Sequence, residues 1–157
     1  MIFYILANQI TTVFLSLHLL TTISFDGEIR SYLFGGSKDD ITLELANNNK
    51  TLAIKAKKKE IDTNLLVVTS RNKYYFHIKT SENNSHQFIE VYDGEINNSY
   101  SKVKETKDYD LFDGPSSTFI VNKSNEKMRV NELEVTKGKL YLSKGVPIIL
   151  NGERIYN

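Results

Sequence analysis

From Gln9 to the C-terminus, short apolar runs alternate with breaks of Gly, Asn and Asp. The sharpest instance is Thr63 to Thr80, TNLLVVTSRNKYYFHIKT, where two apolar arms flank the polar break Ser-Arg-Asn-Lys. In the first arm Leu65, Leu66, Val67 and Val68 run continuously, as in a strand covered on both faces. In the second, Tyr74, Phe76 and Ile78 alternate with Tyr75, His77 and Lys79, so one face is buried and the other half exposed. This is a hairpin pattern with Ser70 to Lys73 as its exposed tip.

The same pattern extends both ways along the chain. ITTVFLSLHLLTTISF has β-branched and aromatic residues, no Gly or Pro, and a period of two from Thr12 to Leu19, which predicts one long strand or two consecutive ones. Asp26-Gly27 marks a tight turn, EIRSYLFGG the next strand, and DDITLELANNNKTLAIKAKKK a strand, an Asn-rich turn and a strand. After Thr80 the chain turns polar and weakly patterned, and one strand is expected at Phe88 to Tyr92. The alternative for Lys102 to Lys107 is a short helix. Further strands are expected at Ser117 to Val121, Met128 to Val135, Lys139 to Ser143 and Val146 to Leu150, with turns at Lys137-Gly138, Lys144-Gly145 and Asn151-Gly152. Short strands spaced in this way imply an all-β fold, a small β-sandwich or barrel-like domain with a second short β lobe. The expected division is an N-terminal β domain over 9–81, a linker with one short strand over 82–108, and a short β-rich lobe over 109–157.

Composition narrows function by exclusion. With 40% hydrophobic and 25% charged residues the chain can bury a core. Nine tyrosines and eight phenylalanines supply the large side chains in place of tryptophan. A net charge of +1 argues against a surface built mainly for nucleic acid or an anionic membrane. Without cysteine there is no thiolate catalysis, cysteine zinc site, iron–sulfur cluster or disulfide, and the compartment stays open. The N-terminal MIFYILANQITTVFLSLHLLTTISF has no charged residue before Asp26. It is too often interrupted by Asn, Gln, Ser, Thr and His to make the ~20 mainly apolar residues of a span. It also lacks the positive start of a signal peptide. The expectation is that only the first few residues are terminal and folded strand begins at Gln9.

Reactive chemistry has no pattern to stand on. His18 and His77 fall within expected strands and His86 in a polar loop, where a solvated ring is expected; none has metal-site spacing. There is no GxGxxG, no P-loop, and no nucleophile elbow in the GPSS of Gly114 to Ser117. Asp39-Asp40 and Asp108 with Asp110 lack calcium-loop spacing and read as solvated turns. The basic run Lys55 to Lys59 reads as a solvated strand end that discourages edge pairing. Tyr74, Tyr75 and Phe76 read as sheet residues rather than a base-stacking platform. No catalytic, cofactor-binding or metal residue is assigned.

Taken in order, LLTTISFDGEI, NKTLAIKAKKKEIDTNLLVVTS and RNKYYFHI resemble the N-terminal domain of the TrbG/VirB-type subunit of conjugative type IV secretion systems. The residues that carry the resemblance are Thr21, Thr22, Ile23, Phe25, Gly27, Glu28 and Ile29, then Leu52, Ile54 and Lys55, then Thr63, Asn64, Leu65, Val67 and Thr69, and finally Tyr74 and Phe76. It covers roughly Gln9 to Lys79, about half the chain. Two departures stand out: AKKKEID replaces a link with proline and glycine, and the remainder is short for the family's second β-sandwich.

The resemblance implies a non-enzymatic structural ring subunit, periplasmic and associated with the outer membrane. Its implied partners are copies of itself, a lipoprotein and a channel-forming subunit. It implies no cofactor, no direct nucleic acid contact, and membrane association through partners. It assigns structural roles: Thr63-Asn64 at strand entry, Leu65 and Val67 in the core, Tyr74 and Phe76 on the opposing face. The interaction residues stay unknown. Two other readings compete: an exported β-sandwich binding module (adhesin, pilus accessory or phage structural protein), and an enzyme on a β-scaffold.

Overall fold

The computed structural model describes residues 1–157, and every regular element in it is a β-strand. The all-β expectation therefore holds, and no helix is long and apolar enough to cross a membrane. The chain divides into two compact units, Met1–Ile2 with Ile10–Tyr92, and Phe3–Gln9 with Asp93–Asn157.

Strand β1 (Ile2–Ile5) precedes Gln9, so regular structure starts earlier than expected. The reason is apolar content: Phe3, Ile5 and Leu6 are all buried.

The first unit then takes β2 (Ile10–Leu15), β3 (Thr21–Phe25), β4 (Ile29–Phe34), β5 (Ile41–Ala46), β6 (Thr51–Ala56), β7 (Asp62–Thr69), β8 (Lys73–Thr80) and β9 (Phe88–Asp93). The run ITTVFLSLHLLTTISF is two strands, β2 and β3, in different sheets. Between them Ser16 Oγ accepts the His18 N–H, a local bond that turns the chain. One sheet has the order β2-β8-β7-β4, and the other contains β9-β3-β6-β5. The β7–β8 and β5–β6 pairs are antiparallel hairpins. The latter turns through Asn47, Asn48 and Asn49, all at positive φ, which asparagine tolerates better than most residues. β2 runs parallel to β8, and β3 parallel to β9.

Alternation sorts the side chains. Val13, Leu15, Leu65, Val67, Phe76 and Ile78 turn inward from one sheet; Ile23, Phe25, Leu52, Ile54, Ile89 and Val91 turn inward from the other. The Phe25 ring meets Tyr74 at 5.2 Å and Phe76 at 6.2 Å between centroids, closing a sandwich.

The second unit holds β10 (Ser101–Glu105), β11 (Tyr109–Asp113), β12 (Thr118–Asn122), β13 (Met128–Val130), β14 (Leu133–Val135), β15 (Gly138–Leu142), β16 (Ile148–Leu150) and β17 (Glu153–Tyr156). Its sheets run β10-β11-β12-β15 and β14-β13-β16-β17. Tyr109, Leu111, Ile120, Met128, Val130, Val135, Leu142 and Ile148 form the core. Ser101–Glu105 is strand, not helix. The single strand expected over Met128 to Val135 is split into a hairpin, because Asn131 and Glu132 both take positive φ.

Phe3–Gln9 completes this unit. Tyr4 and Lys144 exchange backbone hydrogen bonds at 2.9 and 2.8 Å. Leu6 N–H donates to Ser143 Oγ, Ser143 N–H donates to Gln9 Oε1, and Gln9 Nε2 donates to the Tyr141 carbonyl. The segment from Tyr4 to Gln9 is thus fastened to Tyr141, Ser143 and Lys144 within the unit.

Candidate interaction surfaces

At one end of the first unit, two of the sequence motifs meet. The turn Asp26-Gly27-Glu28 lies against the β7–β8 hairpin tip, where Ser70 N–H donates to the Glu28 carbonyl at 2.8 Å. The tip is closed by Thr69: its Oγ1 accepts the N–H of Arg71 and of Asn72 and donates to the Asn72 carbonyl. Gly27 is buried, and a Cβ there would come 2.7 Å from Ser70 Oγ and 3.3 Å from Thr69 Oγ1. Only glycine allows this approach without displacement. Arg71 and Asp26 pair at 2.6 Å on the exposed side. The motif residues here therefore join two segments.

The first unit has two outward sheet faces. On β2-β8-β7-β4, strand register aligns Ile10, Tyr75, Leu66 and Leu33 in one row across all four strands. Leu33 is 69% exposed, Tyr75 41% and Ile10 38%, so this is an open apolar stripe. Around it on the same face, Lys73 and Lys79 outweigh Asp62. Asp62 pairs with His77 and lies 3.8 Å from Lys79. The hydrogen bond from His77 chiefly holds its carboxyl below the ordinary carboxylate range; burial opposes it, and the Lys79 charge adds a lesser lowering effect. On the other face, β9 presents Phe88 (66% exposed), Glu90 and Tyr92 outward, beside Thr22 and Ser24 of β3, Ala53 and Lys55 of β6, and Glu44 of β5. There the acids Glu44 and Glu90 outweigh Lys55.

The three histidines separate. His18 lies in the exposed β2–β3 turn and not in a strand. His77 is on β8 as expected. His86, expected to be solvated, is buried. Its Nδ1 accepts the Phe14 N–H at 3.0 Å, its own N–H donates to the Phe14 carbonyl, and its carbonyl accepts Thr21 Oγ1–H at 2.6 Å. A polar-looking loop is thereby fixed into the sandwich, and the surrounding TSENNSHQ gave no sign of it.

Of the acidic pairs, Asp39 and Asp108 are exposed, as expected of solvated turns, while Asp40 and Asp110 are internal fixtures. Asp40 is buried, meets Lys58 at 3.0 Å and accepts the Ser37 N–H; the bond from Lys58 lowers its pKa most. Asp110 is buried, 2.9 Å from Lys123 and 3.7 Å from Lys102, and the Lys123 bond chiefly lowers its pKa. No three His, Asp or Glu side chains converge as metal ligands would.

In the second unit an open polar cleft of about 580 Å³ is lined by Lys107, Asp108, Lys123, Glu126, Lys127 and Lys137. Its charges are of both signs. A second feature is an aromatic row, Phe112, Phe119 and Tyr141, in register across β11, β12 and β15. Phe112 and Phe119 stack at 4.5 Å, and Lys139 Nζ sits 4.2 Å from the Phe119 centroid. Tyr100 packs edge-on against Phe119 at 4.9 Å and hydrogen-bonds to Ser117, so this row is partly covered.

Residues 3–133 match the family model CagX, described as conjugal transfer protein. No curated protein matches the chain.

Proposed function

The chain belongs to the CagX family of conjugal transfer proteins, and from that premise we propose that it is a structural, non-enzymatic ring subunit of a type IV secretion core complex. The family match carries this reading. It spans most of the sequence and agrees with the resemblance carried by the motif residues Phe25, Gly27, Glu28, Thr69 and Tyr74. In the proposal the protein lies in the periplasm against the outer membrane, where it contacts copies of itself, a lipoprotein and a channel-forming subunit.

The arrangement of the motif residues supports a structural role. Gly27 and Thr69 set the contact between a turn and a hairpin tip, and Phe25, Tyr74 and Phe76 pack the sandwich. None of these presents a nucleophile or base to solvent. A protein of this kind acts by offering surfaces, and the first unit has two outward faces with exposed apolar side chains.

The test is affinity purification of the full chain from cells that express the whole conjugation system, after separation of envelope from cytosol. The proposal expects the chain in the envelope fraction, co-purifying with other envelope components of that system. Recovery of the chain alone in the cytosol would refute it.

A further inference from the structure

We infer that the outer face of the β2-β8-β7-β4 sheet of one copy docks on the outer face of the β9-β3-β6-β5 sheet of the next. This rests on the ring reading above and supplies its contact. The first surface is centred on the in-register row Ile10, Tyr75, Leu66 and Leu33. The second is centred on Phe88 and Tyr92 of β9.

Three observations select a second copy as the occupant. Each face presents large apolar side chains to solvent in the single chain, led by Leu33 at 69% and Phe88 at 66% exposure. The faces carry opposite charge excess, Lys73 and Lys79 over Asp62 on one and Glu44 and Glu90 over Lys55 on the other. The side chains of Lys73, Glu44 and Glu90 make no ion pair within the chain. Charges of opposite sign flanking apolar centres steer and register two surfaces. Lastly, both faces belong to one sandwich and look in opposite directions, so they cannot meet within one molecule.

The symmetry follows from that placement. A contact between two different patches is heterologous, and repeated copy by copy it runs head to tail and closes into a ring when the rotation per step allows. A face that docked on itself would stop at a dimer. The two faces of this sandwich are unlike in charge and in side chains, which selects the first arrangement.

The absence of native cysteine makes the test direct. Leu33→Cys and Phe88→Cys are prepared separately in the full chain, checked for an unchanged circular dichroism spectrum and unfolding midpoint, and treated with a short bismaleimide. The expected result is a covalent dimer when the two variants are mixed, little product from either alone, and a ladder of products from the double variant. Lys73→Glu should abolish the mixed product, and combining it with Glu90→Lys on the partner copy should restore it. If native mass shows an oligomer but the mixed pair gives no product, or Leu33→Cys cross-links equally well to itself, the docking inference is overturned and the ring reading stands. If the chain stays monomeric in the assembled system, both fall.

Discussion

A Cβ added to Gly27 would lie 2.7 Å from Ser70 Oγ, where the Asp26-Gly27-Glu28 turn is held against the β7–β8 hairpin tip. Two sequence segments that look like separate turn motifs are thus one structural joint. Gly27→Ala should lower stability by about 1 kcal/mol, the low end for overpacking, because Ser70 Oγ can turn aside while Arg71 Cγ and Thr69 Oγ1 must give slightly. Ser70→Gly removes the nearest atom, so the double variant should lose less than the sum of the singles. Urea unfolding of the four proteins measures the coupling. Strict additivity would mean that the contact is not what requires glycine.

Thr69 closes the same joint from the other side through three hydrogen bonds of one hydroxyl. Thr69→Val keeps the shape and removes the oxygen. The expected loss is about 1–2 kcal/mol, from two N–H groups and one carbonyl that turn to water at the tip. Hydrogen exchange of the Arg71 and Asn72 amides should speed up in the variant, while those in β3 and β6 stay unchanged.

Phe14 N–H depends on the buried His86 ring for its acceptor. His86→Ala leaves that donor unpaired and opens a gap beside Phe14, whose ring lies 5.9 Å from the imidazole. A destabilisation of about 1–3 kcal/mol is expected from the stranded donor alone. Thermal unfolding of the variant at neutral pH checks it, and an unchanged midpoint would remove the assigned role.

Thr11 provides the opposite case. It is buried on β2, and its hydroxyl has no hydrogen-bond partner. Thr11→Val exchanges an unsatisfied group for a methyl of similar size and removes a desolvation cost. Stability should hold or rise by about 1 kcal/mol. A clear loss in a urea melt would show that the hydroxyl is satisfied in solution.

Asp40, Asp62 and Asp110 all have pKa values held below 3.8, chiefly by Lys58, His77 and Lys123 respectively. A carboxylate depressed in the folded state binds protons less readily there than in the unfolded chain. Its stabilising contribution is therefore complete above the unfolded value and is lost as pH falls through the folded one. Unfolding midpoints should change little through these groups between neutral pH and about pH 4.5, then fall as the pH drops below about 4. Asp110→Asn should flatten part of that acid limb. A limb of equal depth in the variant would move the effect to other groups.

Legibility in the sequence followed the strength of alternation. The β7–β8 hairpin was readable because Leu65, Val67, Tyr74 and Phe76 keep a period of two around a polar break. β10 and β11 were missed because Lys102, Lys104, Asp110 and Asp113 interrupt the apolar pattern, and Asp110 is buried beside its partners Lys102 and Lys123. The place of Phe3–Gln9 in the second unit could not be read, since its hydrogen bonds to Tyr141, Ser143 and Lys144 join residues over 130 positions apart. The apolar row across β2, β8, β7 and β4 was hidden for a related reason. Tyr75 and Leu33 each look like an isolated exposed residue until strand order and register set them in line.

Native mass measurement of the full chain, extracted from the envelope of cells carrying the conjugation system, tests the central claim most directly. The account predicts a high-order species containing many copies of this chain, with Lys73→Glu reducing the copy number. A single copy per particle, in the envelope or in the cytosol, would contradict it.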